Sequence, residues 1–138
     1  MITVVFDTNV LLDLFVFNDF RALHLKQALL EKQIDAVSHP KTLEEFADVI
    51  ARPLFCLDQS TQTSIYKQWQ SLSRALNESE LIKAPWQCQD PDDQIFLDLA
   101  YTVKPCILMS KDNAVLKLAN RAAKESIQIT SNYNALSI

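Results

Sequence analysis

The five residues Ile2-Thr3-Val4-Val5-Phe6 are β-branched or aromatic, almost wholly apolar, and end at an acid, Asp7. So short and apolar a run reads as a strand buried on both faces, and such a strand demands helices above and below it. Cys106 to Ser110 repeats the pattern, and Asp112 follows it. Ile34-Asp35-Ala36-Val37 and Ile127 to Thr130 are further short strand candidates.

The intervening stretches have helical periodicity. Val10 to Val16 and Phe20 to Glu31 read as helices broken around Asn18-Asp19, with Asp19 capping the second. Ser38 to Pro40 opens a helix that carries Leu43, Phe46, Val49 and Ile50 on one face and stops before Pro53. A polar stretch at Ser60, Thr61 and Thr63 leads into a helix to about Leu76, and Leu81-Ile82 reads as a small strand before Pro85. Asp90-Pro91 starts a helix, as cap and first helical position, with Ile95, Phe96, Leu99 and Val103 as its buried stripe. Val115 to Ala122 is the last helix. Strands alternating with helices predict an α/β fold with a parallel sheet covered on both faces.

At 138 residues the chain is expected to form one domain, 1–138, with a core that needs neither disulfide nor structural metal. Cys56, Cys88 and Cys106 are odd in number and widely spaced, which argues against a disulfide framework or a zinc site. Glycine is absent, so the phosphate-cradling and dinucleotide-binding loops that depend on it are excluded. No apolar run approaches the roughly 18 residues of a membrane span, and the N-terminus lacks a signal peptide's basic region. A cytoplasmic protein with no membrane association is expected.

The net charge of -4 argues against holding nucleic acid by bulk electrostatics. Yet from Lys104 to Lys124 the basic residues Lys104, Lys111, Lys117, Arg121 and Lys124 face one acid, Asp112. This is either a solvated basic face or a phosphate-contacting surface.

The acids carry the chemistry. If the runs before Asp7 and Asp112 are neighbouring parallel strands, their carboxyl ends lie side by side, where open α/β sheets place ligand sites. Counting about 100° per residue, Glu45 borders the apolar stripe of its helix and Asp93 lies beside the stripe of the next, whereas Glu44, Asp48 and Asp98 point farther away. Asp92 falls nearer the stripe by angle, but in a first turn where phase is loose. Each acid alone has a plain explanation as a helix cap or surface charge. Convergence of four does not, because clustered carboxylates repel unless a cation offsets the repulsion. An all-oxygen set without His or Cys suits Mg²⁺ or Mn²⁺.

Asp7-Thr8-Asn9-Val10-Leu11-Leu12, then Glu45 with Val49 and Arg52-Pro53, then Asp90-Pro91-Asp92-Asp93 with Phe96-Leu97 and Leu99-Ala100, then Ser110-Lys111-Asp112, resemble in this order the PIN domain. The likeness is strongest to toxin components of toxin-antitoxin systems, the virulence-associated type C (VapC-like) ribonucleases, and runs from the first strand to about Leu118. The resemblance implies a PIN-like three-layer α/β/α sandwich and a Mg²⁺- or Mn²⁺-dependent ribonuclease. It places the catalytic acids at Asp7, Glu45, Asp93 and Asp112, with Asp7, Asp93 and Asp112 on the metal. Thr8, Asn9 and Ser110 would orient carboxylates or water. From the basic stretch, and not from the resemblance, Lys111, Lys117 and Arg121 are the candidates for contact with RNA. Glu44 competes with Glu45, and Asp90 or Asp92 with Asp93. Toxin-type relatives are held inactive by a small antitoxin and form homodimers, so both partners are implied.

Two departures stand out. Ala114 replaces a further Asp found in many relatives, and Lys111 a Gly. The first leaves a smaller acidic cluster and makes a non-catalytic interaction module the main rival. A phosphoacceptor signalling domain fits less well, because Lys104-Pro105 precedes a strand rather than following one. Trp69 and Trp86 read as core or interface residues rather than base-stacking platforms.

Overall fold

A computed structural model describes residues 1–136 of the chain. Five parallel strands form one sheet: β1 (Ile2–Phe6), β2 (Ile34–Ser38), β3 (Ser73–Ala75), β4 (Cys106–Met109) and β5 (Ile127–Thr130), in the order β3-β2-β1-β4-β5. Among the described residues the α-helices are α1 (Thr8–Phe15), α2 (Leu23–Leu30), α3 (Pro40–Ile50), α4 (Gln59–Leu72), α5 (Gln94–Val103), α6 (Asn113–Leu116) and α7 (Ala119–Ala123).

The sheet is central because its middle strands β1 and β4 are apolar on both sides. Val4 and Phe6 join the cluster formed with α1 to α4, while Val5 joins the cluster of α5, α6 and α7. Trp69 of α4, 1 % exposed, anchors the first cluster with its ring 6.0 Å from Phe6 and 6.1 Å from Phe15. Its reading as a core residue therefore holds. The result is the expected three-layer α/β/α sandwich.

The strand order reverses between β1 and β4. β1 pairs with β2 on one side and β4 on the other, with Phe6 opposite Met109. Beyond the ladder the Asp7 N–H donates to the Met109 carbonyl at 2.9 Å, so Asp7 and Ser110 leave the sheet side by side. This is the topological switch point at which such sheets bind ligands.

α3 starts sharply. His39 Nδ1 accepts from the Lys41 N–H, Thr42 Oγ1 accepts from the His39 N–H, and Pro40 occupies the first helical position. With that start fixed, Leu43, Phe46, Val49 and Ile50 turn inward and the phase of Glu45 is set.

Three expectations are corrected. The helix expected to reach Leu76 ends at Leu72, and Ser73–Ala75 becomes edge strand β3, aligned by the Ser38–Ser73 hydroxyl contact at 2.8 Å and the Arg74–Asp35 ion pair at 2.9 Å. Leu81-Ile82 is not a strand; the Ile82 N–H bonds the Thr102 hydroxyl at 2.8 Å instead of a ladder partner. The helix expected over Val115 to Ala122 is two short ones, α6 and α7, broken at Lys117-Leu118.

Candidate active site

Each strand-end acid at the switch point also caps the helix that follows it. Asp7 Oδ1 accepts from the Asn9 N–H at 3.2 Å, and Asp112 Oδ1 accepts from the Ala114 N–H at 2.8 Å. Capping does not exhaust either carboxylate. Asp7 is 3 % exposed, and its other oxygen accepts the Ser110 hydroxyl at 2.6 Å. Ser110 in turn accepts the Asp112 N–H at 3.0 Å, so one buried hydroxyl joins the two strand ends.

Glu45 reaches the same place from α3. Its Oε2 accepts the Thr8 hydroxyl at 2.8 Å, and it is half-buried while Glu44 is exposed. That separates the two competitors for this position.

Asp93 ends the 3-10 turn Pro91–Asp93, which Asp90 caps through the Asp92 N–H at 3.0 Å. Asp93 is buried and Asp92 exposed, which sets them apart as well. Asp90 remains close. One carboxylate oxygen each from Asp90, Asp93 and Asp112 lie within 4.8 Å of one another. Asp7 is outside that triad but near enough for its charge to act on Asp93, and Glu45 feels the charges of Asp7 and Asp92.

The electrostatic strain is large. Burial first, then a hydrogen bond shared with Asp112 and the charges of Asp7, Asp112 and Asp90, push the Asp93 carboxyl up to about 8. Burial also raises Asp7, against the lowering effect of its bonds to Ser110 and Asn9, with the Asp112 charge adding to the rise. Glu45 is raised by burial and by Asp7, against its Thr8 bond. Asp93 Oδ2 is buried without a hydrogen-bond donor. A buried oxygen with no donor among the described residues, on a side chain whose carboxylate meets those of Asp90 and Asp112, is part of a ligand set that fits a hard divalent cation.

The loop carrying Asp90 is latched to α5. Gln94 accepts the Cys88 N–H at 2.7 Å and donates to the Trp86 carbonyl at 2.9 Å, and Asp98 accepts from the Ala84 N–H at 2.9 Å and from Gln94 at 3.1 Å. Asp98 is therefore buried although its helical angle places it well outside the apolar stripe. An irregular segment covers that side of α5, and no periodicity in the segment announces it.

The remaining expected residues differ in their surroundings. Asn9 is exposed, and its backbone rather than its side chain meets Asp7. Lys111 Nζ lies 2.7 Å from the buried carboxylate of Asp13, which also accepts the Tyr133 hydroxyl at 2.5 Å. Lys117 donates to Gln89 at 3.1 Å, beside Asp90, and Arg121 is exposed on α7. Asp13, and a place for Asp90 alongside Asp93 rather than instead of it, are what the sequence reading missed. Asp13 sits inside an otherwise apolar helical run, which was the available signal.

Comparison with protein families gives a match to the PIN domain over residues 3–114. The chain belongs to the PIN domain family. The match spans β1 to the start of α6 and so contains all the acids described above. No curated protein and no solved structure matches the chain significantly. PIN domains are generally nucleases, and the cluster of Asp90, Asp93 and Asp112 in this one could hold a metal ion. Among the described residues no helix is long and apolar enough to cross a membrane.

Proposed function

We propose that this PIN domain, as a single domain, is a metal-dependent endoribonuclease that hydrolyses RNA phosphodiester bonds. The observation that carries the reading is the approach of Asp90, Asp93 and Asp112 within 4.8 Å, with Asp7 joined to Asp112 through Ser110. Asp7, Asp93 and Asp112 would hold Mg²⁺ or Mn²⁺, and Asp90 adds an oxygen that the resemblance alone left as a competitor. A divalent cation supplies charge neutralisation on the phosphodiester and eases deprotonation of water. Ser110 holds Asp7 in place. Thr8 fixes Glu45 by one oxygen, and the proton affinity of Glu45, raised by burial, suits a group that takes a proton from a water.

The test is cleavage of a mixed RNA pool with Mn²⁺ by wild type, Asp7→Asn and Asp93→Asn. Loss of cleavage in both folded variants supports the reading; equal activity in all three refutes it.

A cytoplasmic type II toxin, homodimeric and neutralised by a small antitoxin, is the biological role we infer from the resemblance. The exposed apolar side chains Phe17, Phe20, Leu23 and Leu54 suit a protein that spends its life against a partner. Growth arrest on expression, relieved by a short neighbouring reading frame, is the expected behaviour. The rival reading, a PIN-fold module without activity, is favoured by Ala114, whose backbone caps onto Asp112 but which adds no carboxylate. Calorimetry decides, since a dead module binds no Mn²⁺ in an Asp7-dependent way.

A further inference from the structure

Two hollows are lined by residues next in the chain to the clustered acids, and their charge differs. One, of about 600 Å³, lies along α3 and α5 and includes the exposed acids Glu44, Asp48 and Asp92, its carboxylates outnumbering Lys41, Arg52 and Lys83. The other, of about 530 Å³, is lined by Arg21, Lys111, Asn113, Asn132 and Asn134, with Leu116 and Tyr133 among its apolar surfaces. Lys111 and Asn113 are the chain neighbours of Asp112 on either side, so the second hollow is lined by the two residues that flank one of the acids.

Lys111 and Arg21 each have an acidic partner, Asp13 and Asp19. The partners lie beneath the cations. Side-chain exposure is 41 % for Lys111 against 5 % for Asp13, and 67 % for Arg21 against 15 % for Asp19. Solvent therefore meets the positive ends. Lys111 spends one of its three donors on Asp13, and Arg21 holds Asp19 through Nε and Nη2, which leaves Nη1 free to donate. Three amide side chains around them offer donors and acceptors of the kind that single-stranded bases present on their edges.

We propose that the hollow between Arg21, Lys111, Asn113 and Asn132 is a subsite for the nucleotide next to the scissile phosphate, and that single-stranded RNA leaves the acid cluster on this side and not along α3. The inference rests on the acids being an RNA-cleaving site. A polyanion is repelled by the acidic hollow and accepted by the cationic one. The amides add base contacts that bulk charge does not supply.

The test is binding of a labelled, mixed-sequence single-stranded RNA in EDTA, followed by fluorescence anisotropy across a salt series. Because Lys111 neutralises buried Asp13, it is replaced with its partner as K111M/D13N; Arg21→Ala is made separately and in combination. Each cation lost should lower the slope of log K against log salt by about 0.7, and the combined variant by about 1.4. Asn113→Ala should weaken binding with the slope unchanged. Lys41→Ala with Lys83→Ala, in the acidic hollow, should leave the slope as in wild type. A slope unaffected by Arg21→Ala and K111M/D13N, an equal loss in the Lys41 and Lys83 control, or no RNA binding by wild type overturns the proposal. The readout is metal-free, so RNA that binds here without being cleaved when Mn²⁺ is added would sink the nuclease reading and leave the hollow an RNA-binding site with no scissile phosphate beside it. Cleavage with a slope indifferent to these cations would sink the subsite alone.

Discussion

Ser110 Oγ donates to Asp7 Oδ2 at 2.6 Å across 103 positions of sequence, and the bond is buried. It links the carboxyl ends of β1 and β4 and, through the Asp112 N–H, sets the direction of a second acid. Ser110→Ala removes the donor but keeps the volume of the site. Outer partners of metal ligands contribute roughly 10 to 100-fold in affinity. We expect Mn²⁺ affinity, by calorimetry, to fall within that range and RNA cleavage to fall with it. An Asp7 left buried without its donor also costs about 1–3 kcal/mol of stability, read by urea unfolding in EDTA. Unchanged Mn²⁺ affinity would remove Ser110 from the site.

The acid cluster opposes folding when no cation is present. Asp93 has an ordinary pKa of 3.8 and a folded value of about 8. Between these limits the native chain holds more protons than the unfolded one, so stability falls as pH rises through the window. Asp7 and Glu45, also raised, act in the same direction. The melting temperature in EDTA is therefore expected to decline from about pH 5 to about pH 8, and Mn²⁺ to restore it most at the upper end. Asp93→Asn should flatten the decline and be more stable than wild type in EDTA near pH 8. A melting temperature that climbs with pH over this range contradicts the account.

Asp98 is a buried acid that accepts the Ala84 N–H of the segment before Asp90 at 2.9 Å and, at 3.1 Å, the amide of Gln94, which starts its own helix and holds the Asp90 loop through Trp86 and Cys88. Asp98→Ala strands both donors, and hydrogen bonds to a charged group contribute about 1.5–3 kcal/mol. Urea unfolding should register a loss of that size. The released loop carries Asp90, so Mn²⁺ affinity should drop in the same variant. Asp98→Asn keeps the accepting oxygen and should recover most of both effects. Equal damage from Asn and Ala would point to charge rather than to the latch.

The difference between what could and could not be foreseen follows from where the signal lies. β1 and β4 are apolar on both faces and end in acids, so their residues announce both a central strand and a site. α3 has a clear face, and its phase favours Glu45 over Glu44, whereas Asp93 lies in the turn before α5, where phase put Asp92 nearer the stripe and only the motif order of the resemblance favoured Asp93. β3 is three residues long, polar and at the edge, and its pairing depends on Asp35 and Ser38 far away in sequence. The burial of Asp98 depends on an aperiodic segment packing against α5, and the pairing of Lys111 with Asp13 on two loops meeting at α1. Tertiary partners decided those features, and no local pattern encodes them.

A chain without glycine must place other residues wherever φ is positive, and here Asn18, Lys32, Cys56 and Ser126 take φ of 47°, 58°, 53° and 61°. Lys32 is the clearest case, exposed and just past the end of α2, with its N–H on the Leu29 carbonyl. A side chain in this left-handed conformation costs about 1–2 kcal/mol, of which the greater unfolded freedom of glycine cancels roughly 0.5–1 kcal/mol. Lys32→Gly should therefore stabilise the protein by about 0.5–1 kcal/mol, or roughly 3 °C in melting temperature. Gln27→Gly, one turn earlier inside α2, should do the opposite by about 1 kcal/mol. A loss of stability in both variants would mean that Lys32 contributes a contact outweighing its backbone strain.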